Sequence, residues 1–369
     1  MNDRLRRGSS RRALSAVVAG VLLVGAIAGL VAVLAAVTGH GSIDALRALW
    51  NGSLGSRYAV FSATLIRATP LILTGLAVTL AFTAGVMNIG AEGQLLSGAT
   101  AATIVCLATN GIGWLAIPLS LLAGGLAGSV WAYVPALLRR RFGVLEVIST
   151  IMMNFVALYM VGYLVRGPLQ EPLKIYPQSS TIAAPAQLPI IVPGTRLHLG
   201  FVVALACAGA LWWSLRWTAA GFRVRAIGSN PNAAQSAGQI DVGRTTMRAF
   251  LLSGVLAGMA GAIEVTGVTY SLYENLSPGY GYTAIAVALV GTLHPGLTVL
   301  SGILFGALEA GASAMQRDAG IPSVLASVVE ASIILLLLGV AALRLPARRW
   351  GRLRLLQTER SDGRVGEAP

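Results

Sequence analysis

The sequence predicts an all-α, polytopic membrane protein of about ten transmembrane helices with both termini in the cytoplasm, and three observations carry that expectation. Hydrophobic residues make up 55% of the 369 positions and charged residues only 11%, against roughly a quarter charged in soluble domains. Apolar runs close to the ~20 residues that cross a bilayer recur along the chain. The 27 basic residues all fall between those runs. Such placement records insertion topology, so the net charge of +13 implies no nucleic-acid partner.

Taken in order, residues 1–12 carry Arg4, Arg6, Arg7, Arg11 and Arg12 and form a basic cytoplasmic N-terminus. The uncharged run 13–37 is too long for a signal-peptide core and reads as an uncleaved first span. Residues 38–67 form an external segment with an amphipathic portion near Ile43 to Trp50. Span 2, over 68–86, returns to a polar, glycine-containing break at Met87 to Gln94. Span 3 (91–108) leaves the cytoplasm and span 4 (114–138) comes back, stopped by Arg139, Arg140 and Arg141.

Span 5 (145–165) exits into a proline-rich external loop, 166–197. Span 6 (198–215) then delivers a cytoplasmic segment, 216–248. Span 7 (249–268) exits, and span 8 starts near Tyr282 but is cut short by His294-Pro295-Gly296. Span 9 (297–314) and span 10 (322–343) complete a single transmembrane domain over 13–343, followed by a basic, partly disordered cytoplasmic tail, 344–369. In this layout 20 of the 27 basic residues lie inside and 7 outside, which supports an even number of spans with both termini inside. Eight spans with one re-entrant hairpin is the competing count.

Residues 221–240 form the longest polar run between spans. Ser229 or Asn230 can cap a short helix there, Pro231 suits its first turn, 232–237 continue it and Gly238 ends it. Arg223 and Arg225 come just before, placed as anchors for anionic lipid headgroups.

Five carboxylates lie in or at the ends of spans: Glu92, Glu146, Glu264, Glu309 and Glu330. A charge at the bilayer centre costs at least ~2.5 kcal/mol on insertion scales, so each must face protein, water or the interface. Glu146 follows the Arg139–Arg141 run and reads as an interfacial ion pair. Asn88, Glu92 and Gln94 sit in a helix break, tolerated where it lines a cavity or is packed in protein, and read as substrate-pathway lining or as a buried bend. Ser149, Thr150 and Asn154 share one helical strip, for helix–helix hydrogen bonds or for a polar substrate. Glu264, Glu309 and Glu330 are placed only away from lipid.

GxxxG spacings at Gly25/Gly29, Gly124/Gly128, Gly254/Gly258 and Gly302/Gly306 permit close helix contact. Cys106 and Cys207 lie in apolar runs and act as small hydrophobes. Lys174 is the one lysine, so no glycine-rich phosphate loop ending in Lys-Ser/Thr exists and the chain does not hydrolyse ATP by itself. His40, His198 and His294 are far apart, which leaves a metal or nucleophile constellation unsupported.

Four stretches in order carry a family likeness: Met87 to Gln94 (MNIGAEGQ), Glu146 to Asn154 (EVISTIMMN), Gly221 to Ala234 (GFRVRAIGSNPNAA), and Ala286 to Gly291 (AVALVG) ahead of His294-Pro295-Gly296. Together they resemble the permease subunits of bacterial ABC importers for nucleosides and simple sugars, in the branched-chain amino acid/ribose-type superfamily. The Asn-Ile-Gly-Ala-Glu-Gly-Gln form is similar to the nucleoside branch. Val290, where leucine is frequent, is a departure without consequence, and the first 60 residues and those beyond Pro346 match nothing.

The resemblance implies a ten-helix permease similar to the vitamin B12 importers, in a bacterial plasma membrane. It implies a second, related permease subunit, a cytoplasmic ABC ATPase that binds ATP and magnesium, and an external lipid-anchored binding protein; no cofactor belongs to this chain. Arg223, Arg225, Asn230, Pro231, Ala233, Ala234 and Gly238 would then couple to the ATPase, while Asn88, Glu92, Gln94, Thr150 and Asn154 line the pathway. The rival reading is an ion-coupled secondary transporter with Glu92, Glu264 or Glu309 as the proton site.

Overall fold

A computed structural model describes residues 41–109, 113–238 and 240–322, with isolated positions at 25 and 29 and between 327 and 339. Apart from those isolated positions, the expected first and tenth spans and both basic tails lie outside the described residues. Among the described residues the chain is helical, with three isolated β-bridges and no strand.

Within residues 41–322, eleven helices follow one another among the described residues. A short amphipathic α1 (Ser42–Ser53) precedes α2 (Arg57–Thr83), α3 (Ala91–Ala108), α4 (Ala116–Phe142), α5 (Glu146–Arg166) and α6 (Gly200–Trp217). Two short helices, α7 (Ala219–Ser229) and α8 (Pro231–Gly238), lead into α9 (Val242–Glu264), which continues as a π-helical turn, Val265–Thr269. The short α10 (Tyr280–Val290) and the long α11 (Pro295–Asp318) close the described chain. Seven of these helices are long and apolar enough to cross a membrane, and α10 is a shorter apolar one.

Small residues decide how the helices pack. A Cβ on Gly128 would overlap the Gly254 carbonyl oxygen, and one on Gly258 would overlap the Gly124 carbonyl oxygen. Two of the GxxxG spacings are therefore the two halves of one contact, between α4 and α9. Gly302 and Gly306 admit Ile72 and Ala68 of α2 against α11 in the same manner. Without a hydrophobic drive between helices in lipid, such close backbone approach supplies the dispersion contact that holds them. Leu71, Ile72, Leu73 and Leu76 of α2 and Ala257, Ala260 and Ile263 of α9 are accordingly buried. Helices α4, α5 and α6 instead present outward apolar faces, with Leu122, Leu126, Tyr159, Trp212 and Trp213 exposed, as a lipid-facing wall requires.

Helix ends follow local chemistry. Arg139, Arg140 and Arg141 occupy the last turn of α4, where cations complement the helix dipole, and Gly143 closes it with φ 66°. Asp241 caps α9 by accepting from the Arg244 N–H at 2.8 Å.

Several boundaries differ from expectation. Span 2, expected to start at 68, begins at Arg57 and absorbs a π-helical turn, Val60–Thr64. Arg67 is tolerated within it because its guanidinium donates to the Ala63 carbonyl and to Ser313 Oγ, each at 3.4 Å. Span 6 starts at Gly200, leaving His198 in the loop before it. Arg223 and Arg225, expected ahead of the short polar helix, lie on a helix of their own, α7, which Thr218 caps by accepting from the Gly221 N–H at 3.0 Å.

Candidate functional site

Three groups of residues stand apart from ordinary helix packing. The first is the break between α2 and α3. Gly85, at φ 76°, turns the chain after Thr83; residues 86–90 then run non-helically into α3. Asn88, fully buried, donates through Nδ2 to Gln94 Oε1 at 2.9 Å and Ser253 Oγ at 2.7 Å. Its Oδ1 accepts from the Gly90 N–H at 2.9 Å and from Gln94 Nε2 at 3.1 Å. Ser253 in turn donates to the Ala77 carbonyl at 2.7 Å, so one amide ties α2, α3 and α9.

Neighbouring polar groups complete the joint. Asn154 of α5 accepts from the Gly93 N–H at 2.8 Å and donates to the Ile89 carbonyl at 2.9 Å and to the Tyr282 hydroxyl at 3.3 Å. It thereby satisfies an amide that the first turn of α3 leaves without a helical partner. Glu92 accepts from the Gly281 N–H at 2.7 Å, which puts one carboxylate at the N-terminal ends of both α3 and α10, where helix dipoles favour negative charge. Thr150, also buried, donates back to the Glu146 carbonyl of its own helix at 2.7 Å. The structure thus gathers Asn88, Glu92, Gln94 and Asn154 around one helix break, with Asn88 and Gln94 bonded to each other and Glu92 and Asn154 bonded to backbone groups beside them, and Thr150 packed at 3.0 Å from where a Cβ on Gly90 would lie.

The second group is α7 and α8. Asn230 caps α8 by accepting from the Ala233 N–H at 3.1 Å, and Pro231 takes the first helical position, as the sequence predicts. Pro231 and Ala233 are exposed, whereas Ala234 is buried against the chain itself. Gly238 ends the helix. Arg223 points outward from α7; Arg225 donates to the Leu215 carbonyl and fastens α7 to the end of α6. At the far end of α7, a Cβ on Gly228 would overlap the Thr83 carbonyl oxygen. Helix α7 therefore rests directly on the end of α2. Close by, Arg139 pairs with Glu146 at 2.9 Å, the ion pair expected from sequence, and Glu146 also accepts from the Met87 N–H at 3.4 Å.

The third group is a cavity of about 470 Å³ at the end of the bundle opposite Arg139–Arg141, lined by Arg67, Glu264, Tyr273, Tyr280, Glu309 and Gln316 among others. From the sequence, Glu264 and Glu309 are placed only away from lipid, with a proton-site role in the rival reading alone, and Arg67 counts as external. The available signal was Arg67 itself, a charge embedded in an apolar run that continues on both sides of it. Above the cavity the 166–197 loop is pinned by the Arg166–Glu274 ion pair at 2.5 Å and by the Ile182 and Leu188 amides, which donate to the Tyr270 and Thr266 carbonyls at 2.9 and 2.8 Å. His198, buried at its edge, accepts the Gly200 N–H on Nδ1 at 3.2 Å. Burial first, and the nearby Arg196 second, lower its pKa to about 4.

Among the described residues no group of three or more metal-ligating side chains occurs, and Cys106 and Cys207 are free. The three groups are a polar cavity at one end of a helical bundle, a hydrogen-bonded helix break within the bundle, and two short helices at the other end, of which α7 rests on the end of α2. Seven helices of membrane-crossing length packed beside a polar cavity are the anatomy of a membrane permease.

The chain belongs to the family described as the branched-chain amino acid transport system permease component, whose profile matches residues 60–338. It is 40% identical to the guanosine ABC transporter permease protein NupP of Bacillus subtilis, over 88% of this chain and 92% of that one. It is 37% identical to the glucose ABC transporter permease protein TsgB13 of Haloferax volcanii over 80% of each chain. With the nucleoside ABC transporter permease protein NupB of Lactococcus lactis it shares 30% identity, over 80% of this chain and 83% of the relative. No solved structure matches.

Proposed function

We propose that the chain is the membrane-spanning permease of an ATP-driven importer for nucleosides, with ten crossings and cytoplasmic termini arranged much as in the vitamin B12 importers. The names of NupP and NupB support nucleosides as the substrate class. TsgB13, named for glucose, makes a free sugar the natural control. The end carrying Arg139–Arg141, α7 and α8 faces the cytoplasm, on the distribution of basic residues.

In this reading a cytoplasmic ABC ATPase, which binds ATP and magnesium, grips the exposed face of α8 at Asn230, Pro231 and Ala233. Arg223 adds a cation to that face. A second, related permease completes the pore, and an external lipid-anchored protein hands substrate to the far side. Closure of the ATPase pushes α8 and, through Asn230, α7, which Arg225 fastens to α6. The cluster of Asn88, Glu92, Gln94, Thr150 and Asn154 forms the pivot beside which substrate passes.

The single observation that carries the proposal is the backbone contact of Gly228 with Thr83, since it gives a movement of α8 a direct mechanical route into the helix break. Purification of the chain from native membranes in mild detergent tests the assembly. An ATPase and a second permease are expected to accompany it; guanosine transport by the chain alone in liposomes, driven by a proton gradient, would overturn it in favour of the ion-coupled rival.

A further inference from the structure

We infer that Glu264 reads the base of the transported nucleoside: its carboxylate accepts, side by side, two adjacent N–H donors on one edge of a purine, as guanosine offers at N1 and the 2-amino group. The inference rests on the nucleoside-importer reading and assigns one contact within it.

The cavity of about 470 Å³ falls within the ~300–1,000 Å³ typical of small-molecule sites. Glu264 is 5% exposed and lines the cavity. A buried carboxylate ordinarily has its lone pairs used. Here they open onto the cavity, with Arg67 and Arg196 supplying opposite charge nearby. Glu309, on α11, lines the same space.

A second feature sets the place apart. The π-helical turn Val60–Thr64 lies just before Arg67, and Val265–Thr269 follows Glu264 at once. These are the two π-helical segments among the described residues. Such turns are rare and collect at functional sites, because the extra residue re-aims the side chains beside it. Both adjoin a charged residue of this one cavity.

The chemistry of the wall selects among solutes. Glu264 and Glu309 beside Arg67 and Arg196 leave no surplus of positive charge to hold a nucleotide phosphate. Tyr273 and Tyr280 supply aromatic surface for a flat, apolar-faced ring. A fixed carboxylate presents two oxygens to a pair of parallel N–H donors, the geometry in which charge-assisted hydrogen bonds are strongest. Guanine offers that pair on one edge. Adenine places a ring-nitrogen lone pair beside its amino group, and inosine keeps N1–H but lacks the amine.

Uptake of labelled guanosine and inosine by cells carrying the assembled transporter tests the inference. Glu264→Gln keeps the side chain's size but replaces one acceptor oxygen by a donor. The guanosine-to-inosine uptake ratio is expected to fall by about tenfold relative to the parental chain, as for loss of a hydrogen bond to a charged group. An unchanged ratio at equal membrane abundance would overturn the assignment. Should Glu264→Gln fail to reach the membrane, Gln316→Cys at the cavity wall serves instead. Its labelling by a membrane-impermeant maleimide is expected to slow in guanosine more than in inosine, and labelling indifferent to both would overturn the assignment. If parental cells accumulate neither nucleoside, the importer reading itself fails; if they accumulate both and only the ratio stays fixed, Glu264 alone is wrongly assigned.

Discussion

The Thr83 carbonyl oxygen occupies the space that a side chain at Gly228 would need, so α7 lies backbone to backbone on the end of α2. No side chain cushions that contact. A displacement of one helix is therefore passed to the other without the slack of a rotamer.

Gly228→Ala forces the two backbones apart, and overpacking of this kind costs about 1–3 kcal/mol. Guanosine uptake per unit of membrane-inserted protein is expected to fall about tenfold or more, while Gly243→Ala, whose added Cβ meets only the Asp241 carboxylate at 3.5 Å, leaves uptake near the parental rate. Equal uptake by the two variants would remove the contact from the mechanism.

Substitutions at the helix break separate structural from solute-facing roles. Asn154→Leu strips a partner from the Gly93 N–H and the Ile89 carbonyl, and interhelical hydrogen bonds in membranes are worth about 0.6–2 kcal/mol. Thr150→Val removes only a bond to the residue's own helix. Melting in detergent is expected to drop by several degrees for Asn154→Leu and far less for Thr150→Val. A Thr150→Val chain that melts normally but transports poorly would place Thr150 against the substrate.

Glu92→Leu leaves the Gly281 N–H without an acceptor in a buried setting, at a cost of about 1–3 kcal/mol. A lowered melting temperature is the expected outcome, with Glu92→Gln intermediate because the amide oxygen can still accept. Parental stability in Glu92→Leu would show that the bond is dispensable to the fold.

Much of this was legible in the sequence, for local reasons. Asn230 and Pro231 announce the start of α8, His294-Pro295 announces the short α10, and the apolar content of 91–108 sets α3. Helix α7 was not legible, because Gly221 and Gly228 look like breakers until the Ser214 and Thr83 carbonyls they admit are known. The cavity was hidden for a related reason. Arg67, Glu264 and Glu309 belong to three helices, and the two π turns beside them leave no mark in hydrophobic periodicity. In Ala234 the sequence suggested a partner contact, and burial turns that side chain inward.

His198 gives the loop-facing end of the bundle a pH dependence. Its ordinary value is 6.5 and its folded value about 4, so on acidification the unfolded chain takes up the proton first. The stability tied to the neutral imidazole is complete above about pH 6.5 and is lost as pH falls from there towards 4. His198→Gln is expected to flatten the melting temperature across that window. A decline as steep as the parental one would assign the pH dependence to other groups.

The most direct test of coupling through α8 compares guanosine uptake with ATP hydrolysis stimulated by the binding protein, in the same membranes, for the parental chain and for Ala233→Arg. The side chain at 233 is exposed, so the substitution leaves the bundle intact and acts on the face proposed to meet the ATPase. Uptake at background with ATP hydrolysis retained is the predicted result; parental uptake in Ala233→Arg would contradict the account.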